Sequence, residues 1–427
     1  MTTERDNINS EAPSLAADLL PAAKPMFKKQ RGSKTSPLKV ILLVILALAL
    51  IAAPIIFQGF GQLLLIRIFA IVGLYIILAM GLNIVVGYAG LLDFGRMAFY
   101  AFGAYAAMLI GVPLAQALGP QLGGWAYVVS LVGGAIVSSL VGFLLSLPVM
   151  RLRGDYLAIV TLGFGEIVRI CLQNNFLGLS NGAQGLPRTG QTLPAPPGLD
   201  WLKMNVYFPI NDRFVIEFSS NVYWYYIILI LLVVAIIVVR RQDNSRLGRS
   251  WAALREDEVA AAAMGVNTTR AKTWAFVLGA LWGGVAGATF SYFQMVASPE
   301  TFNFFNSVLV LAIVVIGGMG SIPGVIVGAL AIQGIPEFIR WFAQNFLSGA
   351  ASGIDKTVSN YRNLILGLLM VVMMAIRPAG LIPSKRIKRE IHGAGGSDGS
   401  TRVEGDVLVN GVPAGIEGAT PGGGEGA

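Results

Sequence analysis

The feature that most constrains this chain is a series of uncharged apolar runs, each longer than the roughly 18 to 20 residues that cross a bilayer as a helix. They are Ile68 to Leu92, Met97 to Met150, Phe218 to Val239, Thr273 to Pro299 and Thr301 to Pro336. Backbone polar groups in lipid must be satisfied inside the protein, so such runs fold as helices or as closed barrels. A barrel needs alternating strands of about ten residues, whereas these runs are continuous. The expected fold class is therefore all-α, a polytopic transmembrane helical bundle of about 10 spans, with a range of roughly 8 to 10. Composition agrees, since 13% of residues are charged against about 25% in an average soluble domain.

The net charge of +8 raises the question of nucleic acid, but the basic residues concentrate between apolar runs. That is the pattern of cytoplasmic loops, so the lipid bilayer and not nucleic acid is the expected partner of the charge. One cysteine, Cys171, excludes an intramolecular disulfide and any multi-cysteine metal site. One histidine, His392, leaves no histidine-based catalytic or metal cluster. Arg31-Gly-Ser-Lys-Thr35 lacks the leading glycine and the spacing of a phosphate loop. No metal, cofactor or nucleotide-hydrolysing site is expected.

Residues 1–37 read as a disordered cytoplasmic tail, without the apolar core and cleavage site of a signal peptide. Spans are expected at about 38–57, 64–86, 97–112, 125–150, 156–176, 221–239, 273–295, 304–316, 322–339 and 363–376. Residues 178–220, rich in Gly, Pro, Asn and Asp, read as an extracytoplasmic loop, and Tyr223-Trp-Tyr-Tyr226 as an interfacial aromatic belt. Residues 377–427 form a tail, basic at first and then Gly-rich. An even number of spans puts both termini on one side. With that side inside, 22 of the 31 Lys and Arg lie inside and six outside, so both termini are expected in the cytoplasm.

Three places carry candidate function. Gly81 to Gly95, GLNIVVGYAGLLDFG, has glycines together with Asn83 and Asp93 at or near membrane depth. Backbone that leaves the helix there is tolerated only in a protein interior or beside a water-filled cavity. It reads either as a broken transport-site segment or as glycines for close helix packing. In the span 156–176, Glu166 and Arg169 are spaced to pair on one helix face, as a structural pair or as a substrate contact. Val85–Gly90 also parallels Val315–Gly320, each leading into a span with glycine, as in transporters built from repeats. Asn83, Tyr88, Gly90, Thr161 and Glu166 are the candidates for a translocation path.

The third place is Arg240 to Lys272, a polar interruption with seven Lys or Arg. Glu256, Asp257 and Glu258 precede Ala260 to Ala263, and Gly265 follows. Acidic residues favour a helix start, alanine its body and glycine its end, so a short helix is expected here. It reads as an interfacial tie between two spans or as a helix whose small-residue face is free to dock.

Four stretches carry a family resemblance. Gly81–Gly95, Arg153–Arg169 (RGDYLAIVTLGFGEIVR), Gly248–Val266 (GRSWAALREDEVAAAAMGV) and Val314–Val325 (VVIGGMGSIPGV) resemble the branched-chain amino acid permeases of ABC importers, LivM type. The resemblance covers about 65–383 and implies the ABC importer permease fold in a bacterial inner membrane. It implies as partners a second homologous permease, two cytoplasmic ATP-binding subunits and an extracytoplasmic solute-binding protein. The region 240–272 resembles the coupling loop that docks in an ATPase cleft. Its residues here are Arg255, Glu256, Asp257, Glu258, Ala260, Ala261, Gly265 and Asn267. The family pattern is Glu-Ala-Ala, three residues, then Gly. Ala260, Ala261 and Gly265 fit it, but Val259 stands where glutamate is expected.

Other readings compete with this one. A related importer would carry urea or short amides. An ion-coupled carrier working alone needs acidic groups within several spans, yet Glu166 is the one placed well inside. A polytopic membrane enzyme needs an interfacial cluster, for which Glu256 to Glu258 is the only candidate, and helix capping explains that trio.

Overall fold

A computed structural model describes residues 37–59, 63–122, 124–150, 154–187 and 220–338, together with Leu152, Trp341, Gly367, Val371 and 380–382. Nearly all of the expected tails, the stretch 188–219 of the long loop and nearly all of the tenth expected span lie outside these. The chain divides into two units, 1–53 and 54–427. The first contains most of α1, Pro37–Gly59.

The described part of the second unit is helical almost throughout. Its helices are α2 (Leu63–Leu82), α3 (Arg96–Leu122), α4 (Gly124–Val149), α5 (Asp155–Gln173), α6 (Ser220–Asp243), α7 (Arg246–Glu256), α8 (Glu258–Ala263), α9 (Thr268–Gln294), α10 (Phe304–Gly317) and α11 (Ile322–Ala329). The single sheet among the described residues pairs β1 (Leu186–Pro187) with β2 (Val296–Ala297), antiparallel.

Among the described residues, six helical segments are long and apolar enough to cross a membrane: Leu63–Tyr88, Arg96–Leu114, Trp125–Val149, Tyr156–Gln173, Asn221–Asp243 and Thr268–Gln294. Leu48–Gln58, Phe304–Gly317 and Ile322–Phe338 are apolar but shorter. The first nine expected spans thus each meet an apolar helix, six of them of full length. The chain is a polytopic helical membrane protein.

α2, α3 and α9 form the centre, with 67%, 67% and 78% of their apolar windows buried. α4 has 28% buried and α5 only 17%, so both present long apolar faces outward. Lipid gives no hydrophobic drive for helix to meet helix, so close contact must come from small residues and shared hydrogen bonds. A Cβ at Gly81 would lie 2.8 Å from the Gly279 carbonyl oxygen, and one at Gly284 would lie 2.7 Å from that of Gly134. Gly103 meets the Gly284 backbone with no room for a methyl group. Hydroxyls complete these seams. Ser138 Oγ donates to the Phe99 carbonyl at 2.9 Å, Ser130 Oγ and Tyr292 OH are 2.8 Å apart, and Tyr127 OH and Thr289 Oγ1 are 3.2 Å apart.

Among the described residues, two helices lose their α geometry. α2 continues through Asn83–Tyr88 as a π-helix and ends in the irregular stretch 89–95. α11 likewise passes into a π-helix at Leu330–Gly334. The chain also turns between α10 and α11, where Gly318 and Gly320 have positive φ.

Candidate functional site

The expected short helix in 240–272 is there, and a second helix precedes it. α7 begins at Ser245, whose Oγ accepts from Gly248 N. α8 begins at Asp257, whose Oδ1 accepts from Val259 N at 2.7 Å and Ala260 N at 3.0 Å. The Ala260 and Val259 amides hold the Asp257 carboxyl below its usual pKa. Gly265, at φ +82°, supplies the left-handed residue that ends α8. Asn267 Oδ1 then accepts from Arg270 N at 2.9 Å and starts α9.

This pair of helices is anchored to the bundle by side chains that local sequence rules do not single out. Trp251 is completely buried, and its Nε1–H donates to the Ala271 carbonyl at 2.9 Å. Lys272, also buried, pairs with Glu258 at 2.7 Å. The base of α9 is therefore tied to both short helices. Trp251 is the one tryptophan in the polar stretch and Lys272 its last base; those were the available signals.

The candidate residues divide by the direction in which they face. Glu256, Asp257, Ala260, Gly265 and Asn267 are exposed, and so are Val259, Ala262 and Met264, the last at 85% exposure. Ala261 is buried and Glu258 is turned to Lys272. The small-residue face open to a partner is thus Val259, Ala260, Ala262, Ala263 and Met264, without Ala261. Arg255 points the other way, into the bundle, where Nη1 donates to the Gly87 carbonyl at 2.7 Å.

That contact leads to the glycine-rich break. Asn83 is fully buried, and its Oδ1 accepts from Gly320 N at 2.8 Å. A Cβ on Gly87 would overlap Asn83 Oδ1. The Arg255 stem lies over Gly90, which has φ +71°, with Cγ 2.8 Å from where a Cβ would stand. The two similar glycine stretches, 85–90 and 315–320, therefore touch each other, and the end of α7 touches both. Tyr88 is buried at the same break.

Thr161 sits elsewhere. Its Oγ1 accepts from Phe94 N at 3.1 Å and donates to the Ala158 carbonyl at 3.0 Å, so it holds 89–95 against α5. The stretch ends in a pair the sequence reading did not make. Asp93 and Arg96, both fully buried, are 3.1 Å apart. Arg96 also donates to the Gly81 carbonyl at 3.3 Å and lies over the Phe99 ring. Their spacing of three residues was the signal. Glu166 is separate again, paired with Arg169 on α5 and half-buried. Asn83, Tyr88 and Gly90 are thus gathered at one node, while Thr161 and Glu166 lie apart from it.

The family described as branched-chain amino acid transport system permease component matches residues 64–374. The LivM permease protein of the high-affinity branched-chain amino acid transport system from Salmonella typhimurium is 39% identical over 321 residues, 73% of this chain and 68% of that protein. Its counterpart in Escherichia coli K12 is 38% identical over the same shares. The LivH permease protein of Escherichia coli K12 is 25% identical over 74% of this chain and 93% of its own length. No solved structure matches. With a match across most of the chain and relatives of this identity, the chain belongs to the family of branched-chain amino acid transport system permease components.

Proposed function

We propose that this chain is the membrane-spanning subunit of an ATP-driven importer, in which separate ATPases move solute by alternating access. The observation that carries this reading is the α7–α8 pair. It offers an exposed apolar face, Val259 to Met264, yet is fixed through Trp251 and Lys272 to the base of the most buried span. A force applied to that face is passed into α9, which is what a coupling element requires. On this reading α7 and α8 lie at the cytoplasmic side, both termini with them, and two ATP-binding subunits dock there.

The other expected partners are a second homologous permease and an extracytoplasmic solute-binding protein. The relatives' names give branched-chain amino acids as the cargo class. α5, the least buried of the spans, is the proposed boundary with the second permease. It carries the half-buried Glu166–Arg169 pair, and charges in a span normally face protein or a water-filled cavity. Glu166 is the proposed path-facing charge, and Asn83, Tyr88 and Gly90 move with the break.

The test is copurification from native membranes, comparing wild type with Ala260→Arg and Met264→Arg. Both residues are exposed, so each charge disturbs docking and leaves the fold intact. The expected result is loss of the ATPases and of leucine uptake, with membrane insertion unchanged. If no ATPase copurifies with the wild type and both variants still transport without ATP, the chain is a solitary carrier and the reading falls.

A further inference from the structure

We infer that Arg255 is a positioning residue that links the ATPase-facing helices to the glycine-rich break through its hydrogen bond to the Gly87 carbonyl. The inference rests on the coupling reading above and deepens it.

The last carbonyls of a helix have no partner within it, and a cation is favoured near them. Gly87 lies in the last turn of the π-helical end of α2, and Arg255 Nη1 satisfies its carbonyl at 2.7 Å. The same Nη1 stands 3.4 Å from where a Cβ on Gly320 would be. Across the node, Asn83 Oδ1 accepts from Gly320 N. One guanidinium therefore sits where the end of α2 meets the turn between α10 and α11. Arg255 lies two residues before Asp257, the cap of α8. A displacement of α8 is thus delivered within two residues to the carbonyl that closes the broken helix. Trp251 and Lys272 carry force into α9; Arg255 carries it separately to α2 and α10. The stretch 85–90 needs its glycines here, because a side chain on Gly87 or Gly90 would strike Asn83 or Arg255.

The experiment uses the complete copurified complex in liposomes, reading ATP hydrolysis, retained ATPases and leucine uptake. Arg255→Met keeps the stem over Gly90 and removes the donor; Arg255→Lys keeps a charged donor. In Arg255→Met the ATPases stay bound and ATP is hydrolysed, while uptake per ATP falls about tenfold, the ratio that one charge-assisted hydrogen bond is worth. Arg255→Lys recovers part of that loss. Gly90→Ala displaces the stem from the opposite side without altering the docking face, and lowers uptake per ATP in the same direction. Wild-type uptake per ATP in Arg255→Met overturns the inference. So does equal loss of assembly in the Met and Lys variants, which makes the residue merely structural. Absence of ATPases from the wild-type complex sinks the underlying reading instead.

Discussion

Replacing Trp251 tests how firmly the two short helices are held. The indole is fully buried and spends its only donor on the Ala271 carbonyl. Truncating a buried Trp to Ala costs about 3–5 kcal/mol. α7 otherwise buries only Gly248 and Leu254, so most of that cost falls on local docking and little on the bundle. At about 1.4 kcal/mol per decade, the open population of α7–α8 rises by roughly 10² to 4 × 10³. Trp251→Phe keeps much of the ring and loses one neutral hydrogen bond, about 1 kcal/mol or roughly fivefold. The assay is limited trypsin digestion in detergent, followed by cleavage at Arg246, Arg249, Arg255 and Arg270. All four lie in or beside helices and need local opening to be cut. When opening is fast relative to cleavage, the rate follows the open population. Faster cutting in the order Ala, Phe, wild type is expected. Equal rates for Trp251→Ala and wild type would refute the claim that Trp251 anchors the pair.

Three further outcomes are expected. Glu258→Gln destabilises the loop more than Lys272→Met, because it leaves a buried ammonium without its carboxylate; trypsin sensitivity or hydrogen exchange at α8 gives the order. Gly103→Val, placed against the Gly284 backbone, separates α3 from α9 and lowers the yield of folded protein, whereas Gly163→Ala, with open space around it, has wild-type yield by fluorescence-detected size exclusion. Asp257 is held below its usual pKa, so its capping contribution is complete above the unfolded value near about 3.9 and is lost as pH falls through the folded value. Protection of the Val259 and Ala260 amides, taken relative to their intrinsic exchange rate at each pH, should therefore fall on acidification in the wild type and stay flat in Asp257→Asn.

What the sequence made legible was what depends on neighbours along the chain. α8 could be read from Asp257, its alanines and Gly265, since capping and termination are set within a few residues. The Glu166–Arg169 pair followed from its spacing. The break at 83–95 was marked by its glycines. α7 was not read as a helix, because its buried residues Gly248, Trp251 and Leu254 are a sparse stripe whose meaning comes from the bundle they meet. The likeness of 85–90 to 315–320 was visible, but not that the two stretches touch, which is a property of how α2 and α10 converge. Thr161 also holds Phe94 in place, a contact 67 residues away along the chain that no local rule shows.

The glycines along α9 have a mechanical consequence. Gly279, Gly283, Gly284 and Gly287, all near its middle, are where α2, α3 and α4 press closest on its backbone. Thr268–Gln294 is 27 residues long, a rod of about 40 Å, with buried residues from Ala271 near its start to Phe293 near its end. Held along that length, it carries a push at Lys272 as one body to its far end, where β2 joins the chain just after α9 to β1.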